Sequence, residues 1–74
     1  MTYKVILFYS TSAAIQVEKL LRKEGFTIKL IPLPRKFSSD CGICLRFEDT
    51  GEGEEKVKAL LDQKKVAYQG IYAL

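Results

Sequence analysis

The fold of this chain is decided by residues 3–12, which read YKVILFYSTS. Residues 3–9 form a nearly continuous apolar run rich in β-branched and aromatic side chains, which is typical of a central strand covered on both faces. Ser10, Thr11 and Ser12 follow at once, and their hydroxyl groups can accept hydrogen bonds from the unpaired amides at the start of a helix. A buried strand that leads directly into a helix is therefore predicted.

Two helices are predicted from apolar residues at helical spacing. The first follows Ser12, places its apolar side chains on one face, and ends at Gly25 in a left-handed cap. The second has Glu54 and Glu55 at its positive end and a narrow apolar stripe that includes Val57. Both helices are amphipathic, so each should cover one side of a sheet.

Three more strands complete the pattern. Residues 26–31 and 43–48 alternate between apolar and polar side chains, as half-buried strands do, and residues 66–72 form a last apolar strand. The order strand, helix, strand, strand, helix, strand predicts one α+β domain over residues 1–74. The expected architecture is the ferredoxin-like split βαββαβ fold, a four-stranded antiparallel sheet with two helices on one face.

Length and composition limit the function classes. The chain has 74 residues, a net charge of +3, two cysteines and no histidine. A domain this small has a thin core, so an oligomer is expected. Lys4 interrupts the first apolar run and no cleavage site follows, which predicts a cytoplasmic protein with reduced thiols and no membrane span. Without histidine or an evident acid/base pair, an autonomous enzyme is not expected.

The loop between the second and third strands carries most of the chemistry. Residues 32–42 contain both prolines, two adjacent cations, three small polar residues and Cys41. The loop is longer than a strand-to-strand link needs to be, and function tends to lie in such loops. In the expected fold it lies at the same end of the sheet as the start of the first helix, and Lys64 and Lys65 also reach that end.

Cys41 is the candidate functional residue. The helix start at Ser10, Thr11 and Ser12 and the cations Arg35 and Lys36 should favour a thiolate over a thiol there. Gly42 allows close backbone approach by a bound group or an unusual φ angle. The alternative is that Cys41 is a small turn residue and that the cations are solvated.

Cys44 is predicted to be a small hydrophobe on the sheet face away from the helices. A bridge to Cys41 requires the chain to turn at residues 42–43, because three extended residues span about 10 Å and a disulfide needs Cα atoms within about 7 Å. The Cys-Gly-Ile-Cys run precedes a strand, whereas a thioredoxin pair precedes a helix. A closed metal site would need ligands from a second chain, so no metal or other cofactor is expected.

The chain resembles a small bacterial and archaeal family of selenium/sulfur carrier-like proteins over essentially its whole length. The matching segments are Phe8-Tyr9-Ser10-Thr11, Pro32-Leu33-Pro34-Arg35, Ser38-Ser39-Asp40-Cys41-Gly42, Leu45-Arg46-Phe47 and residues 66–72. Two positions depart from the pattern, since Lys36 stands where an acidic residue is common and Asp40 stands where a third serine is common.

This resemblance implies that Cys41 carries a persulfide or perselenide and passes it from a donor protein to an acceptor protein. Arg35, Lys36, Ser38, Ser39, Gly42 and Ser10–Ser12 would then support the anion. The alternative function is a ligand-sensing or protein-interaction module without cysteine chemistry. RNA binding on the sheet is not expected, because the third strand offers Cys44, Arg46 and Glu48 outward and no aromatic ring. No partnership with nucleic acid or membrane is therefore predicted.

Overall fold

The computed structural model describes residues 2–37, 42–49 and 51–74. The predictions for Ser38, Ser39 and Cys41 concern residues outside these ranges. The elements are β1 (Thr2–Leu7), α1 (Thr11–Lys23), β2 (Ile28–Pro32), β3 (Ile43–Asp49), α2 (Gly53–Gln63) and β4 (Gly70–Ala73). Neither helix of the described chain is long and apolar enough to cross a bilayer.

The sheet has the order β2-β3-β1-β4, and all neighbouring strands are antiparallel. This confirms the predicted βαββαβ architecture. Leu7, near the end of β1, pairs with Cys44 on one side and Gly70 on the other. One end of the strands therefore contains the ends of β1 and β2 and the beginnings of β3 and β4. We call it the loop end.

One face of the sheet packs against both helices. Aliphatic and aromatic side chains from the central strands interlock there with one stripe from each helix, and burying one large side chain stabilises the fold by about 1.5–3 kcal/mol. The fully buried members are Ile6, Phe8, Ala14, Val17, Leu21, Leu45, Phe47, Val57 and Leu61.

The ends of α1 agree with the sequence prediction. The Ser10 hydroxyl oxygen accepts a hydrogen bond from the Ala13 amide at 3.2 Å, which caps the start of the helix. Gly25 follows the end of α1 with φ 89°, a left-handed conformation that glycine adopts without strain. These two local signals fix the bounds of α1 within the chain.

The end of α2 uses a different residue for the same turn. Lys65 has φ 56°, and the Val66 amide donates to the Leu61 carbonyl at 3.0 Å, closing the last turn. A lysine in the left-handed region bears a steric cost that a glycine does not. The sequence carried no signal for this position.

Neither helix of the described residues covers the opposite face of the sheet, which we call the open face. Its buried side chains are Val5, Leu7 and Cys44. Leu33 and Phe37 pack over them from the loop that follows β2, and the Phe37 ring meets the Tyr72 ring of β4 at 5.3 Å between centroids. We call residues 33–37 the strap, because they run from the β2 edge of the sheet to β4 at the other edge.

The last strand begins later than predicted. Residues 66–69 are not part of the sheet, and β4 starts at Gly70, after the Gln69 amide donates to the Leu7 carbonyl. The prediction of a strand from Val66 was wrong because the apolar side chains of Val66 and Tyr68 fill the core and do not mark a strand. They pack against the helix-side core while the chain returns from α2.

Tyr72 needs the glycine two residues before it. A Cβ placed on Gly70 would lie 2.6 Å from the Tyr72 hydroxyl oxygen and 2.7 Å from a ring carbon, so the ring covers the glycine backbone. An aromatic ring over an edge glycine is a known way of shielding such a position. The ring is held between Gly70 and Phe37.

The end of the sheet opposite the loop end is closed by an ion cluster. The Lys4 ammonium lies 2.6 Å from Glu54 and 3.0 Å from Asp49. The hydrogen bonds to Glu54 and Asp49 hold the pKa of Lys4 above its ordinary value, and Lys4 holds the pKa of both carboxyl groups below theirs. The lysine that interrupts the first apolar run is thus a partner for the start of α2.

The left-handed residue after α2 gives a stability prediction. Lys65→Gly should raise the free energy of unfolding by about 0.5–1 kcal/mol, because it removes a steric cost from the folded state that outweighs the added chain entropy. Lys64→Gly is the matched control, since Lys64 has φ −90°, and it should lower the value by about 0.5–1 kcal/mol. Urea unfolding measures both, and equal destabilisation by the two variants would contradict the assignment.

The ring over Gly70 gives a second stability prediction. Gly70→Ala should displace the Tyr72 ring from Phe37 and lower the free energy of unfolding by about 0.5–1.5 kcal/mol, the value of the lost aromatic pair. Gly42→Ala is the control, because an added Cβ there meets nothing within 4 Å, and it should change stability by less than about 0.5 kcal/mol. Thermal unfolding of both variants decides, and a neutral Gly70→Ala would show that the ring contact is unimportant.

Candidate functional site

The loop between β2 and β3 is closed at its base by a backbone hydrogen bond. The Leu33 amide donates to the Gly42 carbonyl at 3.1 Å, one step beyond the last strand pair, Pro32 and Ile43. Cys41 lies outside the described residues, yet it is bonded directly to Gly42. The attachment point of the candidate thiol is therefore fixed at the loop end of the sheet.

Gly42 is exposed and has space around it. Within the described chain, the glycines with positive φ are Gly25 and Gly51, so Gly42 does not use the left-handed conformation, which was one of the two roles left open for it. An added Cβ at Gly42 would meet no atom within 4 Å. Its surroundings leave room for the close approach of a second molecule.

The start of α1 lies at the same end of the sheet, on the helix side. Ser10 uses its hydroxyl oxygen to cap the helix, while Thr11 and Ser12 are exposed in the first turn. The first turn of α1 contains no acidic residue, whereas α2 begins with Glu54 and Glu55. The positive end of α1 is thus not balanced by a side chain of its own first turn.

Arg35 and Lys36 belong to the strap and are exposed. The Phe37 amide donates to the Pro34 carbonyl at 3.0 Å, which turns the chain, and the Lys36 ammonium lies 5.2 Å from the centroid of the Phe37 ring. The strap crosses the open face and α1 covers the other one. The predicted cations and the helix start therefore share one end of the sheet but approach it from opposite faces.

Lys64 and Lys65, the third predicted segment, are exposed just after α2. The chain then reaches the loop end, where the Gln69 amide donates to the Leu7 carbonyl at 2.6 Å. Among the described residues, the start of α1, the base of the β2–β3 loop and the return of the chain after α2 therefore lie at one end of the sheet. Whether their charges act on Cys41 stays a prediction.

Cys44 is fully buried and lies on the open face with Val5 and Leu7. This confirms that it serves as a small hydrophobe on the face away from the helices. Leu33 and Phe37 pack over this cluster, a role that sequence reasoning missed. The available signal was a phenylalanine that follows two cations in an otherwise polar loop.

The four tyrosines of the chain lie in different surroundings. Tyr3 and Tyr72 do share the open face, since Tyr72 pairs with Val5 and Tyr3 lies two residues before Val5. Tyr9 instead stands between β1 and α1, and Tyr68 packs against the helix-side core.

Other candidate sites lie away from the loop. A shallow cleft of about 560 Å³ opens between the end of α1 and the start of α2, at the end of the sheet opposite the loop. In the part of the chain that the structure describes, no three cysteine, aspartate or glutamate side chains are grouped so as to hold a metal ion. The cleft is lined by Glu24, Gly25, Phe26, Thr27, Glu48, Gly53, Lys56, Ala59 and Leu60.

Comparison with known proteins identifies the family. The uncharacterized protein YtiA of Escherichia coli (strain K12) is 37% identical over 41 residues, which are 55% of this chain and 48% of YtiA. The match thus spans about half the length of this curated relative. No solved structure matches the chain. A family model described as "Putative Se/S carrier protein-like" matches residues 3–73, and the chain therefore belongs to that selenium/sulfur carrier-like family.

Proposed function

We propose that this protein carries sulfur or selenium on Cys41 as a persulfide or perselenide. The observation that carries the proposal is the family match over residues 3–73, which includes the whole loop that contains Cys41. The donor and acceptor are other proteins of a reducing cytoplasm, and the carrier needs no cofactor of its own. Cys41 is the transferring group, and the surrounding residues position it and favour its anion.

The transfer step is a thiol exchange on sulfur. The Cys41 thiolate attacks the outer sulfur of a donor persulfide, the sulfur–sulfur bond of the donor breaks, and the donor thiolate leaves. A new sulfur–sulfur bond forms on Cys41, and the outer atom keeps its proton. An acceptor thiolate then attacks the outer sulfur of the Cys41 persulfide, and the Cys41 thiolate leaves. An outer selenium atom is transferred in the same way.

Two contacts, one on each side of residues 38–41, support the proposal that the thiol is held in position. The hydrogen bond from Leu33 to Gly42 holds one side of Cys41, and the contact between Phe37 and Tyr72 anchors the strap four residues before it. Gly42 is exposed and an added Cβ there would meet no atom within 4 Å, which supports access for a partner. Gly42 thus acts as a positioning residue that leaves room for the incoming group.

The charges at this end of the sheet support an anion. The start of α1 offers amide donors without an acidic residue in its first turn, and Arg35 and Lys36 stand exposed in the strap. A thiolate near such groups has a pKa below that of an ordinary cysteine. Ser38 and Ser39 would add hydroxyl donors to the same loop.

The test is persulfide loading by glutathione persulfide, read by mass spectrometry of the intact protein and its peptides. The wild-type protein should gain one sulfur atom on the peptide that contains Cys41, and Cys41→Ser should lose this adduct. Cys44→Ala is the matched control and should load normally, because the Cys44 side chain is fully buried. Loading that survives in Cys41→Ser would contradict the proposal and favour a binding module without cysteine chemistry.

A further inference from the structure

Half of the open face is left uncovered by the strap. Tyr3, Tyr72 and Leu74 are exposed by 39%, 44% and 47%. They are neighbours, because the Leu74 amide donates to the Tyr3 carbonyl and Tyr72 lies two residues earlier on the same face. Two aromatic rings and one aliphatic side chain thus form a continuous surface at the edge of the sheet.

The charges on this face are unbalanced. Lys29 and Arg46 lie directly opposite each other on β2 and β3, an arrangement that destabilises a sheet. Among the described residues, no acidic side chain forms an ion pair with either of them. Glu48 is the acidic residue of β3 on this face, and Arg35 and Lys36 add two more cations from the strap.

Cations and rings are also stacked together here. The Arg46 guanidinium carbon lies 4.6 Å from the centroid of the Tyr3 ring, and the Lys36 ammonium lies 5.2 Å from that of Phe37. A planar guanidinium that rests on a ring presents its other face to a further planar group. The surface therefore suits a ligand that has both flat rings and negative charge.

We propose that this surface binds single-stranded nucleic acid, with bases stacked against the Tyr3 ring and the Arg46 guanidinium that rests on it, and phosphates held by Lys29. Stacking on aromatic side chains combined with a positive groove is the general chemistry of single-strand binding. A second copy of the chain fits poorly, because it would bring the same unpaired cations against this face. The sequence-based expectation of no nucleic acid considered β3 alone, whereas the exposed rings come from β1 and β4.

The test is fluorescence anisotropy of labelled single-stranded RNA and DNA oligonucleotides at low salt. Wild-type protein should bind at least one of them, and Tyr3→Leu, which keeps an apolar side chain, should weaken binding at least about fivefold. Tyr9→Leu is the matched control, since Tyr9 is 58% exposed but lies outside the open face, and it should bind normally. Equal losses in the two variants would overturn the proposal.

The salt dependence tests the phosphate contacts. Lys29→Ala should reduce the slope of log affinity against log salt by about 0.7, the contribution of one phosphate contact on a single strand. Lys23→Ala removes an exposed cation from α1 and should leave the slope unchanged. Cys41→Ser should also bind as wild type does, which separates this inference from the carrier function. Three results would each refute the proposal of nucleic acid binding. They are no binding of oligonucleotides, equally tight binding of a mononucleotide, and tighter binding of polyglutamate that depends on the same residues.

Discussion

The structure depends on one constraint, which is that two helices cover only one face of a four-stranded sheet. Val5, Leu7 and Cys44 point to the other face, where exposure of their side chains would cost free energy. The strap meets this need with Leu33 and Phe37. The strap, which is the first part of the long link between β2 and β3, therefore contributes to the packing of this face.

The same link is anchored on both sides of the segment that contains the candidate thiol. Its base is closed by the Leu33–Gly42 hydrogen bond, and its middle is held by Phe37 against Tyr72. Tyr72 in turn rests over Gly70, so the position of the strap depends on a glycine at the opposite edge of the sheet. Packing of the open face and anchoring of the link between β2 and β3 are therefore consequences of one arrangement.

The sequence predicted those features that depend on local chemistry. Three such features are determined by only a few neighbouring residues: the apolar run of β1, the Ser10 cap and the left-handed Gly25. The beginning of β4 and the role of Phe37 could not be predicted in this way, because both depend on contacts between residues that are far apart in the chain. The left-handed conformation of Lys65 could not be predicted, because lysine has no intrinsic preference for it. It is imposed by the way the chain turns back after α2.

For the site, the sequence identified the loop and the end of the sheet at which it lies, since both follow from the order of the elements. It did not predict that Arg35 and Lys36 approach from the open face while α1 approaches from the other side. It also did not predict the exposed rings of the open face, or its cations that form no ion pair with a described acidic residue, because strand pairing decides which side chains become neighbours. The alternation of residues along one strand shows which side chains share a face of the sheet. Only the register between strands shows that Lys29 lies opposite Arg46.

The most direct test of the carrier account is the pKa of the Cys41 thiol. Thiolate absorbance in the ultraviolet is titrated in Cys44→Ala, and the same titration of the variant that also carries Cys41→Ser removes the contribution of the four tyrosines. The account predicts a pKa clearly below about 8.5, the ordinary value for cysteine, because the thiolate is the form that attacks the donor persulfide. A pKa at or above that value would contradict a thiol prepared for transfer.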